Sequence, residues 1–358
     1  MGLRDIRQEE FANKWIEEGM FGILFLASRF GKCRVAINIF NKLKPTSILI
    51  AYPDSKIRES WDNEFKILGH DTSIVTFTTH MSLKKHIHEK YDIIVLDEIH
   101  LLSNNQMNAC KEIFKLNSKV LGLSGTLSHS TIKTLSEELK LRVTANYTIE
   151  QAIREGVIAD YEISVVKVPL DNVTLKRYGR FFRTEKQQFD KWGRIIDAIE
   201  EKGGNSKFAR LNRMRIIQNS AAKLNKTKEF LQLYTKERIL VFCGLISVAD
   251  KLGIASHHSK SGNKKRFEEF LNGDINQLAV CRIGNTGVTY TPLNRIIINY
   301  FDSNSENLCQ KLNRAMSMEY DNPEKIAKII IISTNENVEL SWLRRALEFF
   351  DKSKITYI

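Results

Sequence analysis

Residues Tyr91 to Ser103, YDIIVLDEIHLLS, leave this chain few ways to fold. Ile93, Ile94, Val95 and Leu96 form a continuous apolar and largely β-branched run, the pattern of a strand covered by helices on both faces of a parallel sheet. That strand ends in Asp97 and Glu98, and open α/β sheets bind their ligands just outside the carboxyl ends of the strands. Two carboxylates in such a place suit hydrolysis of a magnesium-bound nucleotide. An Asp at a strand end can hold Mg²⁺ through water, and the adjoining Glu can orient and deprotonate an attacking water. An acidic pair after a strand can also be a plain surface turn, so its weight depends on the segments around it.

Upstream, Met20 to Ala27 reads as a buried strand, followed at once by Ser28-Arg29-Phe30-Gly31-Lys32-Cys33 and a helical pattern from Arg34 to Lys42. Strand, glycine-containing turn, lysine and helix N-terminus together make a phosphate cradle, because backbone N–H groups and the helix dipole face the anion. Lys32 would reach the β- and γ-phosphates, with Ser28 to Cys33 as the binding loop. Ser28 and Arg29 replace the first glycines of the usual loop, and Cys33 replaces the hydroxyl that ordinarily ligates magnesium. Further strands are expected at Ser47 to Ala51, Ser73 to Phe77 and Lys119 to Leu123. They end in Tyr52-Pro53, Thr78-Thr79-His80 and Ser124-Gly125-Thr126, as parallel strands with one active edge should. Helices are expected from Leu3 to Trp15, from Ile57 to Lys66 with Trp61 and Phe65 on the inner side, and from Asn105 to Leu116.

A length of 358 residues suffices for about two α/β domains. The formal charge of +12 points to a polyanionic partner. Between Lys176 and Lys228, basic residues including Arg180, Arg210 and Arg213 alternate with Tyr178, Phe181, Phe182 and Trp192. Helical faces of that kind can track a phosphate backbone, or can simply be solvated surface. No apolar run reaches the roughly 18 residues of a membrane span, and the charged start MGLRDIRQEE shows no secretory signal. A cytoplasmic protein, or one of the host-cell cytoplasm if viral, is expected, with no membrane partner. The five cysteines are scattered without a C-x-x-C pair, which reads as reduced thiols without zinc or disulfides. His257-His258 lacks a third ligand nearby.

The second half repeats the strand-and-helix rhythm: strand Ile239 to Cys243, helix from Ser247 to Leu252, His257 to Ser261, helix Lys264 to Leu271, strand Gln277 to Cys281, then Asn285 to Thr289 and strand Arg295 to Tyr300. The phrase Gln310-Lys311-Leu312-Asn313-Arg314 follows. Val338 to Ile358, with Trp342, Leu343, Leu347, Phe349 and Phe350, reads as a packed terminal helix or as one that docks a protein partner.

In order and spacing these segments resemble a superfamily 2 helicase of the DExH type. Gln8 lies where that family reads adenine, and Trp15 matches an aromatic that follows it. Gly31 and Lys32 correspond to motif I, Tyr52 to Trp61 to motif Ia, and Thr79 to a threonine that contacts nucleic-acid backbone. Asp97, Glu98 and His100 correspond to motif II, Ser124 and Thr126 to motif III, and Glu155 to Tyr161 to the crossover between domains. Ser247 to Leu252 falls in motif IV, Thr286, Gly287 and Thr289 in motif V, and Gln310 and Arg314 in motif VI. The narrower likeness is to phage recombination helicases of the UvsW type and to XPB-like DNA helicases.

The resemblance implies an α/β fold of two tandem RecA-like domains, each a mostly parallel sheet with helices on both faces. Residues 1–158 would be the ATP-binding domain and 159–358 the C-terminal one, with a basic helical insertion around 171–235. It implies ATP and Mg²⁺ as cofactors and nucleic acid as partner, with DNA favoured over RNA. Lys32, Asp97, Glu98, Gln310 and Arg314 would be catalytic. Asp97 would hold magnesium through water, with Cys33 a poor ligand for it. Trp61, Thr79, Thr286, Thr289, Arg180, Arg210 and Arg213 would touch nucleic acid, and His100, Ser124 and Thr126 would couple the two sites. Cys33, Asn313 and Ser317, which stands where the family has a second arginine, depart from the pattern. Asn313 is a tolerable backbone change, whereas Cys33 and Ser317 leave open a nucleic-acid-binding protein with a degenerate helicase fold.

Overall fold

The computed structural model describes residues 2–261, 264–281, 293–318, 322 and 324–358. These divide into two compact units, one ending at Ile158 and the other beginning at Ala159.

The first unit contains β1 (Phe21–Leu26), β2 (Ile48–Tyr52), β3 (Val75–Thr79), β4 (Ile93–Asp97), β5 (Val120–Ser124) and β6 (Val143–Tyr147). They form one six-stranded sheet in the order β3-β2-β4-β5-β1-β6, and every pairing is parallel. The helices are α1 (Leu3–Glu17), α2 (Lys32–Leu43), α3 (Arg58–Leu68), α4 (Asn104–Phe114), α5 (His129–Leu139) and α6 (Ile149–Arg154). β2, β4 and β5 are buried at every position, as continuous apolar runs in a sheet covered on both faces must be. Ile94 and Leu96 pack with Met107 and Ile113 of α4 and Leu135 of α5. Aromatic side chains of α2 and α3 pack together, with the Phe40 and Phe65 rings stacked 6.4 Å apart. Because all the strands run one way, Tyr52, Thr79, Asp97 and Ser124 finish along a single edge.

The second unit contains β7 (Asp160–Val168), β8 (Lys176–Tyr178), β9 (Phe181–Arg183), β10 (Ile239–Cys243), β11 (Ala255–His258), β12 (Gln277–Cys281), β13 (Arg295–Ile298), β14 (Ile326–Thr334) and β15 (Ile355–Tyr357). Seven of these form a sheet in the order β11-β12-β10-β13-β14-β7-β15, again parallel throughout. β8 and β9 make a separate antiparallel hairpin. The helices are α7 (Glu185–Glu200), α8 (Lys207–Gln218), α9 (Ala221–Leu233), α10 (Ile246–Lys251), α11 (Lys265–Asn272), α12 (Ser305–Leu312) and α13 (Asn337–Leu347). Val241, Ala279, Ile297 and Ile330 share a core with Leu231 and Val248. A buried Lys223–Glu339 ion pair joins α9 to α13, and Glu339 also accepts from Thr334 N and Oγ1 at 2.7 Å each. A buried acid so fully satisfied fixes the register of its helix on the sheet.

Both sheets therefore have the expected class, mostly parallel with helices on both faces. Two expectations change. The terminal segment is helical only through Leu347, and the chain then runs on into β15 beside β7. Leu343, Leu347 and Phe350 are buried in their own unit, so these side chains are not free to dock a partner. The basic region opens with a hairpin before its helices, which puts Arg180 in a turn. Among the described residues no helix is long and apolar enough to cross a membrane.

Candidate functional site

The loop after β1 turns twice through left-handed backbone, at Arg29 (φ 70°) and Gly31 (φ 98°), before α2 begins at Lys32. Gly31 is required for two reasons, its positive φ and the approach of Gln8, whose Nε2 would lie 2.5 Å from a Cβ there. Gln8 Nε2 donates to the Phe30 carbonyl at 2.7 Å. Gln8 is buried, and its Oε1 makes no hydrogen bond. An unsatisfied buried acceptor of this kind suits an incoming amino group such as that of adenine. Phe30 is held by Phe11 and Tyr147 at ring distances of 5.6 and 4.8 Å.

Lys32 and Glu98, 66 positions apart in the chain, form a 2.8 Å ion pair. Glu98 reaches it from a left-handed conformation (φ 48°, ψ 49°), a strain that non-glycine residues carry mainly at functional sites. Asp97 is buried at the tip of β4. Its Oδ1 accepts from Glu98 N at 2.9 Å and its Oδ2 from Trp61 Nε1 at 3.0 Å. His100 Nδ1 lies 2.7 Å from Ser124 Oγ, which donates to the Thr126 carbonyl at 2.7 Å and accepts from Thr126 N at 3.2 Å. The single hydroxyl proton of Ser124 is thus committed to Thr126. His100 therefore donates from Nδ1 and leaves Nε2, which has no partner, as an acceptor. Gly125 backs onto the phosphate loop: a Cβ there would sit 2.6 Å from Ser28 Oγ and 3.0 Å from Lys32 Nζ.

The charges follow from this geometry. Burial, then the neighbouring Glu98, push the Asp97 carboxyl up to about 6, against Lys32 and the Trp61 hydrogen bond. Burial also drives Glu98 upward, but the Lys32 charge and hydrogen bonds bring it below its ordinary value. For Lys32, burial lowers the pKa and is outweighed by Glu98 and Asp97, so the ammonium is retained. Burial lowers His100 to about 4, leaving it neutral. Burial raises the Cys33 thiol well above its normal value, and a neutral thiol does not ligate a hard cation. Of the two proposed magnesium ligands, Asp97 fits and Cys33 does not.

The first unit therefore brings together Gln8, Ser28 to Lys32, Asp97, Glu98, His100, Ser124 and Thr126. Trp61 is corrected: it is fully buried and spends its N–H on Asp97, so it orients a carboxylate and cannot touch nucleic acid. Thr79 sits half-buried at the end of β3, its Oγ1 donating to Ser82 Oγ at 3.3 Å. In the second unit Gln310 lies in α12 and Arg314 is buried just beyond it, as is Ser317. Arg210 pairs with Glu200 at 2.6 Å and the Arg213 guanidinium lies over Phe189 at 5.6 Å. Thr286, Gly287 and Thr289 lie outside the described residues. Gly125 went unnoticed as a site residue in the sequence, although its place between Ser124 and Thr126 after a buried strand was a signal for close backbone approach.

No family model matches the chain. In sequence it is similar to the DNA 3′-5′ translocase XPB2 of Sulfurisphaera tokodaii, 23% identical over 381 aligned positions that cover 97% of this chain and 84% of that protein. In structure it is similar to S. cerevisiae Dbp5 bound to RNA and ADP BeF3 (TM-score 0.61, 10% identity, 98% of this chain and 88% of that one). It is also similar to the Pyrococcus furiosus Hef helicase domain (TM-score 0.52, 14% identity, 95% and 97%). The DNA-bound Type ISP restriction-modification enzyme LlaBIII matches with a TM-score of 0.63 at 14% identity, over 100% of this chain and 31% of that one. In fold the two parallel α/β sheets are similar to the tandem RecA-like domains found in superfamily 2 helicases. In sequence it is a distant relative of XPB2.

Proposed function

We propose that the protein is an ATP-dependent translocase or helicase acting on DNA, with residues 1–158 as the nucleotide-binding domain and 159–358 as the second motor domain. The observation that carries this reading is the meeting of Lys32, Asp97 and Glu98 at one strand tip beside a glycine-bearing loop. Bound Mg²⁺ would neutralise phosphate charge there. Gln8 Oε1 would receive adenine, Lys32 would exchange Glu98 for phosphate oxygens, and the freed Glu98 would take a proton from water. Asp97, oriented by Trp61, is the residue that would hold the cation. His100, Ser124 and Thr126 link motif II to the adjoining strand β5, and Thr79 ends β3 along the same sheet edge. The resemblance assigns Gln310 and Arg314 to catalysis, Gly287 to nucleotide binding, and Thr286 and Thr289 to nucleic-acid contact. The relative's activity, DNA translocation, favours DNA as the substrate, and the basic insertion around 171–235 suits a polyanionic strand of either kind.

The neutral thiol at Cys33 and the buried Ser317 favour a second reading, a nucleic-acid-binding protein with weak hydrolysis. Phosphate release measured with single-stranded, duplex and branched DNA and with RNA separates the two. Stimulation that is strongest with DNA is expected. Absence of stimulation by any nucleic acid would refute the motor reading.

A further inference from the structure

We infer that the β8–β9 hairpin is a base-stacking pin for single-stranded nucleic acid. The inference rests on the nucleic-acid reading above and names the element that would grip the bases. Lys176 to Arg183, KRYGRFFR, contains four basic and three aromatic residues and no acid. Tyr178 pairs with Phe181 and Arg177 with Phe182 across a two-residue turn, Gly179-Arg180, opened by Gly179 at φ 65°. Positive φ at that position matches the twist of the paired strands.

An isolated hairpin is only marginally stable in water, but this one stands on a buried anchor. Glu185 at the start of α7 receives Lys176 Nζ, Ala221 N at 3.1 Å and Asp171 N at 3.4 Å. Thr184 Oγ1 donates to Asn172 Oδ1 at 3.1 Å across the base of the hairpin. Above this base Phe181 is 57% exposed and Phe182 67%. Two phenyl rings held in water at the tip of an anchored hairpin contribute nothing to a core. The Arg183 guanidinium lies over the Phe181 ring at 4.7 Å, a cation already placed beside a stacking surface.

Exposed rings alternating with guanidinium groups match the face and backbone of unpaired nucleotides: the rings accept bases of any sequence, and the cations follow phosphates. A duplex hides its base faces, so the hairpin selects single strands. The two contributions separate experimentally, because phosphate contacts carry the salt dependence and stacking does not.

The test is fluorescence anisotropy of the full chain with oligothymidine, without nucleotide, across a salt series. Phe181→Ala/Phe182→Ala is expected to lose roughly tenfold or more in affinity with the salt slope unchanged. Phe181→Tyr/Phe182→Tyr should bind like wild type. Arg177→Gln/Arg180→Gln should lower the slope by about 1.4, at roughly 0.7 per phosphate on single strands. As a measurement independent of variant stability, photocross-linking of a bromodeoxyuridine single strand to the wild-type protein should label the peptide containing Phe181 and Phe182. Wild-type binding that survives loss of both rings, or cross-links confined to other peptides, overturns the hairpin assignment alone. A wild-type protein that binds no single strand overturns the pin as well, and overturns the motor reading with it only if hydrolysis is also unstimulated by every nucleic acid.

Discussion

Replacing Trp61 by Phe keeps an aromatic body in the core while removing the one N–H that Trp61 gives to Asp97 Oδ2 at 3.0 Å. A hydrogen bond to a charged acceptor in a buried place stabilises the ionised form by about 1.5–3 kcal/mol, which is roughly one to two pKa units. Asp97 already stands at about 6, so loss of the bond would carry it to roughly 7–8. At pH 7 the ionised, cation-holding fraction would then fall by a factor of roughly two to ten, and at pH 9 it would be nearly restored. The assay is kcat/KM for Mg-ATP from pH 6 to 9, since this ratio reports the pKa values of the free enzyme. The acidic limb of the Trp61→Phe profile should move up by about one unit or more. A profile that superimposes on wild type, or a loss equal at every pH, would refute the assigned role of Trp61.

Four further outcomes are expected. Asp97→Asn should raise the thermal midpoint of the nucleotide-free protein while abolishing hydrolysis. The folded pKa of about 6 exceeds the ordinary aspartate value of 3.8, so the native state holds more protons in that window and stability falls as pH rises through it; at pH 7 the charge costs on the order of 2–3 kcal/mol. Calorimetry at pH 5 and 7 checks this, with the gain of the variant larger at pH 7. Gly125→Ala places a methyl 3.0 Å from Lys32 Nζ and 2.6 Å from Ser28 Oγ, and nucleotide titration should show affinity lowered about fivefold or more for a loss of 1–3 kcal/mol in hydrogen bonding. Cys33→Thr supplies a hydroxyl and should lower the Mg²⁺ concentration needed for half-maximal hydrolysis, read from a magnesium titration. Arg314→Ala should cut kcat by a thousandfold or so while leaving nucleic-acid binding in place, checked by steady-state kinetics and anisotropy.

Much of this was legible before any coordinates, and for physical reasons. Fully apolar runs such as Ile93 to Leu96 can only be buried strands or short buried helices, and acidic, glycine and hydroxyl residues directly after them settle the choice. What the chain concealed were meetings between distant residues. Nothing local predicts that Glu98 turns into left-handed backbone to meet Lys32, because the partner that rewards the strain is 66 positions away. The case of Trp61 is different: helical spacing had already placed it beside Phe65 on the inner side, and a buried indole needs an acceptor for its N–H. The nucleic-acid role drawn from resemblance overrode that simpler reading. Likewise Gly179 between aromatic and basic residues was a hairpin signal inside a stretch read as helical. The strand Ile355–Tyr357 has too few residues to announce itself and forms because the edge of β7 accepts it.

The most direct measurement is phosphate release and ATP binding by the wild-type protein and Glu98→Gln, each with and without single-stranded DNA. The expected result is DNA-stimulated turnover in the wild type that disappears in the variant while ATP binding is kept or tightened, since the exchange removes the base and frees Lys32 from its ion pair. Turnover that is unchanged in Glu98→Gln would contradict the central claim that Lys32, Asp97 and Glu98 form one hydrolytic site.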